Sequence, residues 1–251
     1  GGPPEQQVIL FTYSPSRSQT VAEHLLDGYQ GFVQTDGYAG YAGVCAKAGL
    51  RHLGCWAHAR RKFDEALKAQ GNQSKSTNSL AQQALQRIQQ LYRIEAEIQP
   101  LPPADKERLR QEQALPILNN LKMWLDQALT QVTPSSLTGR ALAYLCKQWP
   151  TLIIYCEDGR LEIDNNAVER AIRPFVIGRN NWLFSDTVHG AQASANLYSL
   201  IETARLNGQE PYAYLCRIFE ELPKAQTLTD VEQLLPWQTG RKLIDGCWGT
   251  G

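Results

Sequence analysis

Residues 64–149 repeat apolar side chains at helical spacing almost without a break, and this constrains the fold more than any other feature of the chain. Leu80, Ala84, Ile88, Leu91 and Tyr92 fall on one face, as do Ile117, Leu121, Trp124, Leu125 and Ala128. Leu137, Ala141, Tyr144 and Leu145 make one more such stripe. Stripes of this kind are core, so no chemistry is assigned to them. Gly71–Asn78 and Gln99–Ala104 read as loops between helices, and Pro116 should kink a helix or start one. Segments that look like strands flank the block on both sides. The chain therefore reads as an α/β protein interrupted by a helical insertion.

On the near side, Val8–Tyr13 is an apolar, β-branched run with the look of a buried strand. A short helix over Val21–Leu26 follows, then a strand over Gly31–Asp36 halted by Gly37. Tyr38–Ala48 reads as helix and Leu50–Trp56 as a third strand. On the far side, Asp158-Gly159 marks a turn and Leu161 and Ile163 alternate with polar neighbours as in a half-buried strand. Asp164, Asn165 and Asn166 are helix-capping types, and the helix they open carries Glu169, Arg170 and Arg173 before Pro174 ends it. Trp182–Ser185 reads as an edge element. Helices follow over Gly190–Asn207, capped by Gly208, and over Pro211–Leu222. Four segments are expected: core over 1–62, insertion over 63–150, returning core over 151–208, and a C-terminal helix and tail over 209–251.

Charge and cysteines narrow the function. The formal net charge is +0, so any nucleic-acid surface must be a local patch. The 6 cysteines form no CxxC pair and read as reduced thiols of a cytoplasmic protein. No signal peptide or membrane-length apolar run is present, so no membrane partner is expected. Met123 is the sole methionine, so Gly1 is not expected to be a natural start and the chain is expected to be a fragment.

Individual residues allow two readings each. Asp36 before Gly37 is a turn former, or a functional acid at the C-terminal edge of a sheet. Cys55 and His58 are spaced to ligate zinc, but a zinc site needs a second pair, and their role is open. Arg60, Arg61 and Lys62, beside Trp56 and Phe63, are a solvated helix face or a phosphate-contacting patch. Glu169 and Arg173 share a helix face, which gives a surface ion pair or a carboxylate set among guanidinium groups. The second arrangement suits a site that holds a metal and a phosphate backbone together.

Taken in order, Thr35-Asp-Gly-Tyr-Ala-Gly-Tyr41, Cys55-Trp-Ala-His-Ala-Arg-Arg-Lys-Phe63 and Asp164-Asn-Asn-Ala-Val-Glu-Arg-Ala-Ile-Arg-Pro174 resemble the transposases of the insertion sequence 66 family. Gly178-Arg-Asn-Asn-Trp-Leu-Phe184, Ser199-Leu-Ile-Glu-Thr-Ala204 and Leu234-Leu-Pro-Trp237 extend the resemblance over roughly residues 8–237. It implies a DDE-type enzyme on a ribonuclease H-like core, here without its N-terminal strands, with a helical insertion before the final acid. Asp36 matches the second aspartate of that pattern and Glu169 the glutamate; nothing matches the first aspartate. The implied reaction is metal-dependent DNA cleavage and strand transfer by in-line displacement at phosphorus, with two Mg²⁺ ions roughly 3.5–4 Å apart. Arg170, Arg173 and Arg179 would contact phosphates, as would Arg60, Arg61 and Lys62. The expected partner is DNA, both transposon ends and target, engaged by a homo-oligomer. With one acid unmatched, the chain alone is expected to be inactive. The alternative is a non-catalytic DNA-binding or oligomerisation remnant.

Overall fold

The structure is a computed structural model that describes residues 6–16, 18–46, 50–69, 79–182 and 185–238. These fall into two compact units, one over residues 16–166 and one made of residues 1–15 with 167–251. The expected boundaries at 62/63 and 150/151 both lie within the first of these.

The 16–166 unit opens with helix α1 (Gln19–Leu25), strand β1 (Gly31–Gln34), helix α2 (Ala39–Cys45) and strand β2 (Leu50–Leu53). β1 and β2 pair in parallel with Gly31 opposite Leu50 and Gln34 opposite Leu53. Parallel neighbours need a crossover, and α2 supplies it. Both strands are shorter than the expected runs. Thr35 adds one more ladder bond, from its N–H to the Leu53 carbonyl at 3.0 Å, and Trp56 already begins the next helix.

That helix is α3 (Trp56–Ala69), followed by α4 (Leu80–Ile98), α5 (Pro103–Leu109), α6 (Leu115–Leu129) and α7 (Leu137–Leu152). The helical block is therefore as read, with Gly71–Asn78 outside the described residues. α3 packs on α4 and α7, α4 on α6, and α6 on α7. Their shared core includes Phe63, Ile88, Leu91, Leu121, Leu125, Leu142 and Leu145, all with no exposed surface. Ser79 and Ser136 cap α4 and α7 by accepting from the N–H groups of Gln82 and Gly139. Pro116 lies in the first turn of α6, where its missing N–H forgoes one bond to the helical turn before it. α6 is entered directly from a single π turn over Arg110–Ala114.

That π turn aims Arg110 inward, and its side chain is 1% exposed. Its guanidinium forms a two-pronged pair with Glu95, at 2.9 and 2.6 Å, and donates to the carbonyls of Tyr155 and Asp158 at 2.9 and 3.0 Å. A buried charge is tolerable only when satisfied in this way. The bonds hold the turn at Asp158-Gly159 against the helices. A Cβ on Gly159 would lie 1.7 Å from the Pro103 carbonyl oxygen, so only glycine fits there.

The expected strand at Leu161 and Ile163 does not form. Its carbonyls are used singly: that of Ile163 accepts from the Trp56 N–H at 3.2 Å, and that of Glu162 from the Gln34 side chain at 2.9 Å. No neighbouring strand is needed to satisfy them.

In the other unit, helix α8 (Asn166–Trp182) runs straight through Pro174 instead of ending before it. Proline removes one backbone donor, and the intrahelical bonds on either side carry the helix across. Trp182, expected to begin an edge element, is its last residue; Leu183 and Phe184 lie outside the described residues. α9 (Val188–Leu206) is capped by Thr187 and followed by Gly208 at φ +73. α10 (Pro211–Glu221) packs on α9, and the short α11 (Leu228–Glu232) begins at a reciprocal Thr227–Asp230 capping box.

Val8–Tyr13, against expectation, pairs with no strand among the described residues. Its partners are side chains of α9. The Asn207 amide donates to the Gln7 carbonyl at 2.8 Å. The Thr203 hydroxyl both accepts from and donates to Ile9, at 3.1 Å each way, and the Ser199 hydroxyl accepts from the Phe11 N–H at 2.8 Å. The spacings explain the fit. Four helical residues rise about 6 Å and two extended residues about 6.6 Å, so polar side chains four apart meet alternate backbone groups. Phe11, Phe175 and Tyr198 close the contact with ring centroids 5.0–6.4 Å apart.

Candidate functional site

Asp36 stands two residues past the end of β1, exposed. Its Oδ1 accepts from the Tyr38 N–H at 3.0 Å, so the carboxylate folds back over its own turn. Gly37 takes φ +84, and a Cβ there would come within 2.8 Å of the Tyr144 hydroxyl. That hydroxyl donates to the Asp36 carbonyl at 3.3 Å, which fixes the turn to α7. Burial raises the Tyr144 pKa, with the Cys55 thiol and the Asp36 carboxylate adding to it, so the phenol keeps its proton as a donor. Beneath the turn, Thr35 is 6% exposed and its Oγ1 lies 2.8 Å from His52 Nε2. Burial lowers the His52 pKa, favouring the neutral ring.

A second polar cluster gathers at Asp164. Its Oδ1 accepts from the Asn166 N–H at 3.0 Å, and its Oδ2 from both the Tyr92 hydroxyl and the Asn166 amide at 2.8 Å. Of the three expected capping residues, Asp164 thus accepts from the first N–H of α8, while the Asn166 amide donates to it. Burial first, then the bond to Asp164, raises the Tyr92 pKa and keeps the phenol protonated. Cys55 donates its thiol proton to Asn165 Oδ1 at 2.9 Å, and burial raises its pKa. Cys55 thus has a hydrogen-bonding part in holding Asn165, while His58 lies half-buried in the first turn of α3.

Arg60, Arg61 and Lys62 are all exposed on α3 but do not form one patch. Two residues turn a helix by about 200°, so the outer pair point apart. Arg60 lies 6.0 Å from the Tyr92 ring centre on the α4 side, and Lys62 lies 5.8 Å from the Tyr144 ring centre on the α7 side.

Glu169 belongs to the other unit, half-buried in the first turn of α8, with Arg170 and Arg173 exposed. Arg179 is in the same helix, and its side chain lies outside the described residues. Sequence reading missed Tyr92, Tyr144 and Arg110. The two tyrosines sit at the edges of apolar stripes and differ from core residues only by a hydroxyl. Arg110 carries no local signal, because its partners lie 15 to 48 positions away.

Among the described residues, no three His, Cys, Asp or Glu side chains gather to hold a metal ion. Asp36 and Glu169, one in each unit, are hard-oxygen donors of the kind magnesium takes. The five free cysteines among the described residues form no ligand group either. No described helix is long and apolar enough to cross a membrane.

"Uncharacterized protein y4jD" of Sinorhizobium fredii (strain NBRC 101917 / NGR234) is 32% identical over 241 residues, 93% of this chain and 46% of its own length. "Uncharacterized protein y4hP" of the same strain is 31% identical over 251 residues, 96% of this chain and 45% of its own. The chain thus spans about half the length of these curated relatives. No solved structure matches it. The family profile described as "Transposase IS66 family" matches residues 2–193, and the "IS66 C-terminal element" matches residues 199–237. With both acid-bearing motifs inside the first match and the stretch from the second half of α9 through α11 inside the second, the chain belongs to the IS66 family of transposases.

Proposed function

We propose that this chain is part of the catalytic region of a DDE transposase, which in its complete form cleaves DNA and transfers the freed strand. The observation that carries this reading is the family match over residues 2–193, a span that includes Asp36 and Glu169. Asp36 and Glu169 are the proposed acids. Magnesium is the proposed cofactor, since hard carboxylates suit it and phosphoryl displacement needs charge stabilisation on attacking and leaving oxygens. The parallel β1–α2–β2 unit, with Asp36 just beyond the C-terminal end of a strand, supports a ribonuclease H-like core interrupted by the helical block. The four-segment division of the chain stands as part of the same proposal. Arg60, Arg61, Lys62, Arg170, Arg173 and Arg179 are the proposed phosphate contacts, and the protein acts on DNA as a homo-oligomer in the cytoplasm, nucleoid-associated when bound.

The chain alone supplies two acids, and remaining ligands come from the longer protein. The test is a Mg²⁺-dependent nicking and strand-transfer assay on transposon-end DNA, run on the 251-residue chain and on the full-length protein. Activity is expected from the full-length protein and not from the chain. Asp36→Asn or Glu169→Gln should lower it by at least about 100-fold, the loss that mere misplacement of a reacting group can cause. Full activity in the Glu169→Gln protein would overturn the assignment. DNA binding without cleavage by every version would favour the non-catalytic remnant.

A further inference from the structure

Helices α3 and α4 leave a groove between them. α3 contributes Arg60 and Asp64 to it, and α4 contributes Gln82, Gln86, Gln90 and Arg93. The α4 residues recur at four- and three-residue steps, so they form one stripe opposite the buried Ala81, Ala84, Ile88 and Leu91. From Gln82 to Arg93 the stripe is about 16 Å long at 1.5 Å per residue. No acid occurs on α4 before Glu95.

The lining says what would bind. Protein interfaces centre on aromatic and aliphatic anchors, whereas among the described residues lining this groove Leu85 is the sole apolar one, against amides and guanidinium groups. Arginine meets phosphate oxygens in a planar fork. Glutamine carries a donor and an acceptor and reads base edges or sugar-phosphate without a charge of its own. A stripe of about 16 Å covers roughly five base pairs at 3.4 Å each. The acid in the groove is weakly engaged. Arg60 and Asp64 are 3.9 Å apart with both side chains at least 40% exposed, a pair of little energetic weight. Arg60 can therefore turn to a phosphate, and Asp64 acts as a brake on it.

We propose that the α3–α4 groove is a DNA-contacting surface of the helical insertion, separate from the acids: Arg60 and Arg93 engage phosphates and the α4 glutamines hydrogen-bond the duplex between them. The proposal rests on the reading of this family member as a protein that handles DNA.

The test is fluorescence anisotropy of a labelled duplex with the 251-residue chain over a series of salt concentrations. The double variant Arg60→Ala/Arg93→Ala should bind roughly tenfold more weakly, and its log–log salt slope should fall by about two, near 0.9 per lost phosphate contact. Gln86→Glu/Gln90→Glu, which keeps both arginines, should weaken binding roughly threefold or more through repulsion of phosphate. Asp64→Asn should tighten it. Wild-type affinity and slope in both double variants would overturn the proposal, as would no duplex binding by the wild-type chain. If only Arg170→Ala/Arg173→Ala weakened binding, the groove would fall and the catalytic reading would stand. If the groove variants lost binding while full-length Glu169→Gln kept full activity, the catalytic reading would fall and the groove would stand.

Discussion

The unit over residues 16–166 buries a continuous apolar core across α3, α4, α6 and α7, whereas the α8–α11 unit closes around Ala204, Tyr214, Ile218 and Leu234. In the first, each helix of the core packs on two others, α3 reaching along the chain as far as α7. In the second, α8 shows Val168, Ile172 and Val176 at four-residue steps, each at least 43% exposed. The main anchor of α9 there, besides α10, is a strap of extended backbone from the far end of the chain. The difference teaches that stability resides in the helical block, and that the helix bearing Glu169 lies in the unit with the smaller core.

The sharpest way to break this comparison is at Arg110. Arg110→Ala leaves Glu95 buried without its cation and should destabilise the 16–166 unit by about 3–5 kcal/mol, measured by urea unfolding. Arg110→Met with Glu95→Leu removes both charges and should cost far less. Next in size is a core truncation. Leu142→Ala should cost about 2–5 kcal/mol, because the packed helices cannot collapse onto the space it leaves. Ile218→Ala, in the smaller core, should fall at the low end of that range or below it. Equal losses at the two positions would erase the distinction between the units.

Smaller effects sharpen it. Thr203→Ala removes both bonds to Ile9 and should cost about 1–3 kcal/mol, at about 0.5–1.5 kcal/mol each. Hydrogen exchange at the Ile9 and Phe11 amides should quicken while that of the α3–α7 core stays unchanged. The smallest effect concerns acid. The bond from Arg160 holds the Asp158 pKa below its ordinary value. A carboxyl lowered on folding stabilises above its unfolded pKa of about 3.9, and that contribution fades as pH falls through the lowered value. Asp158→Asn should therefore flatten the pH dependence of stability below about pH 4, by under about 1 kcal/mol since the Arg160 end of the pair is exposed. An unaltered acid profile would show that Arg110, not Arg160, holds the turn.

What the sequence made legible follows the same division. The helical block could be read because helical periodicity is a local signal and each stripe is satisfied by a similar stripe. Gly37 was legible because Asp-Gly turns are local too. Val8–Tyr13 misled because composition tells of an extended, half-buried run and not of what it pairs with; its partners are hydroxyls and an amide on a helix. Leu161 and Ile163 misled for the same reason, the Ile163 carbonyl going to a helix N-terminus and the Glu162 carbonyl to a glutamine. Pro174 misled because a proline marks one lost bond, and a long helix can absorb it. At the candidate site, Asp36, Cys55 and Asp164 could be named from motifs. The tyrosines that hold two of them could not, because Tyr92 and Tyr144 act across 72 and 108 positions.

The clasp of Ser199, Thr203 and Asn207 on residues 7–11 also sets an order of events during synthesis. Ile9 leaves the ribosome 194 residues ahead of Thr203. At about 5–20 residues per second, that is a wait of about 10–40 s. Through it an extended apolar run stands with open backbone groups, the condition under which strands pair with the wrong neighbour. The 16–166 unit, by contrast, is fully translated and able to fold before α9 has been made.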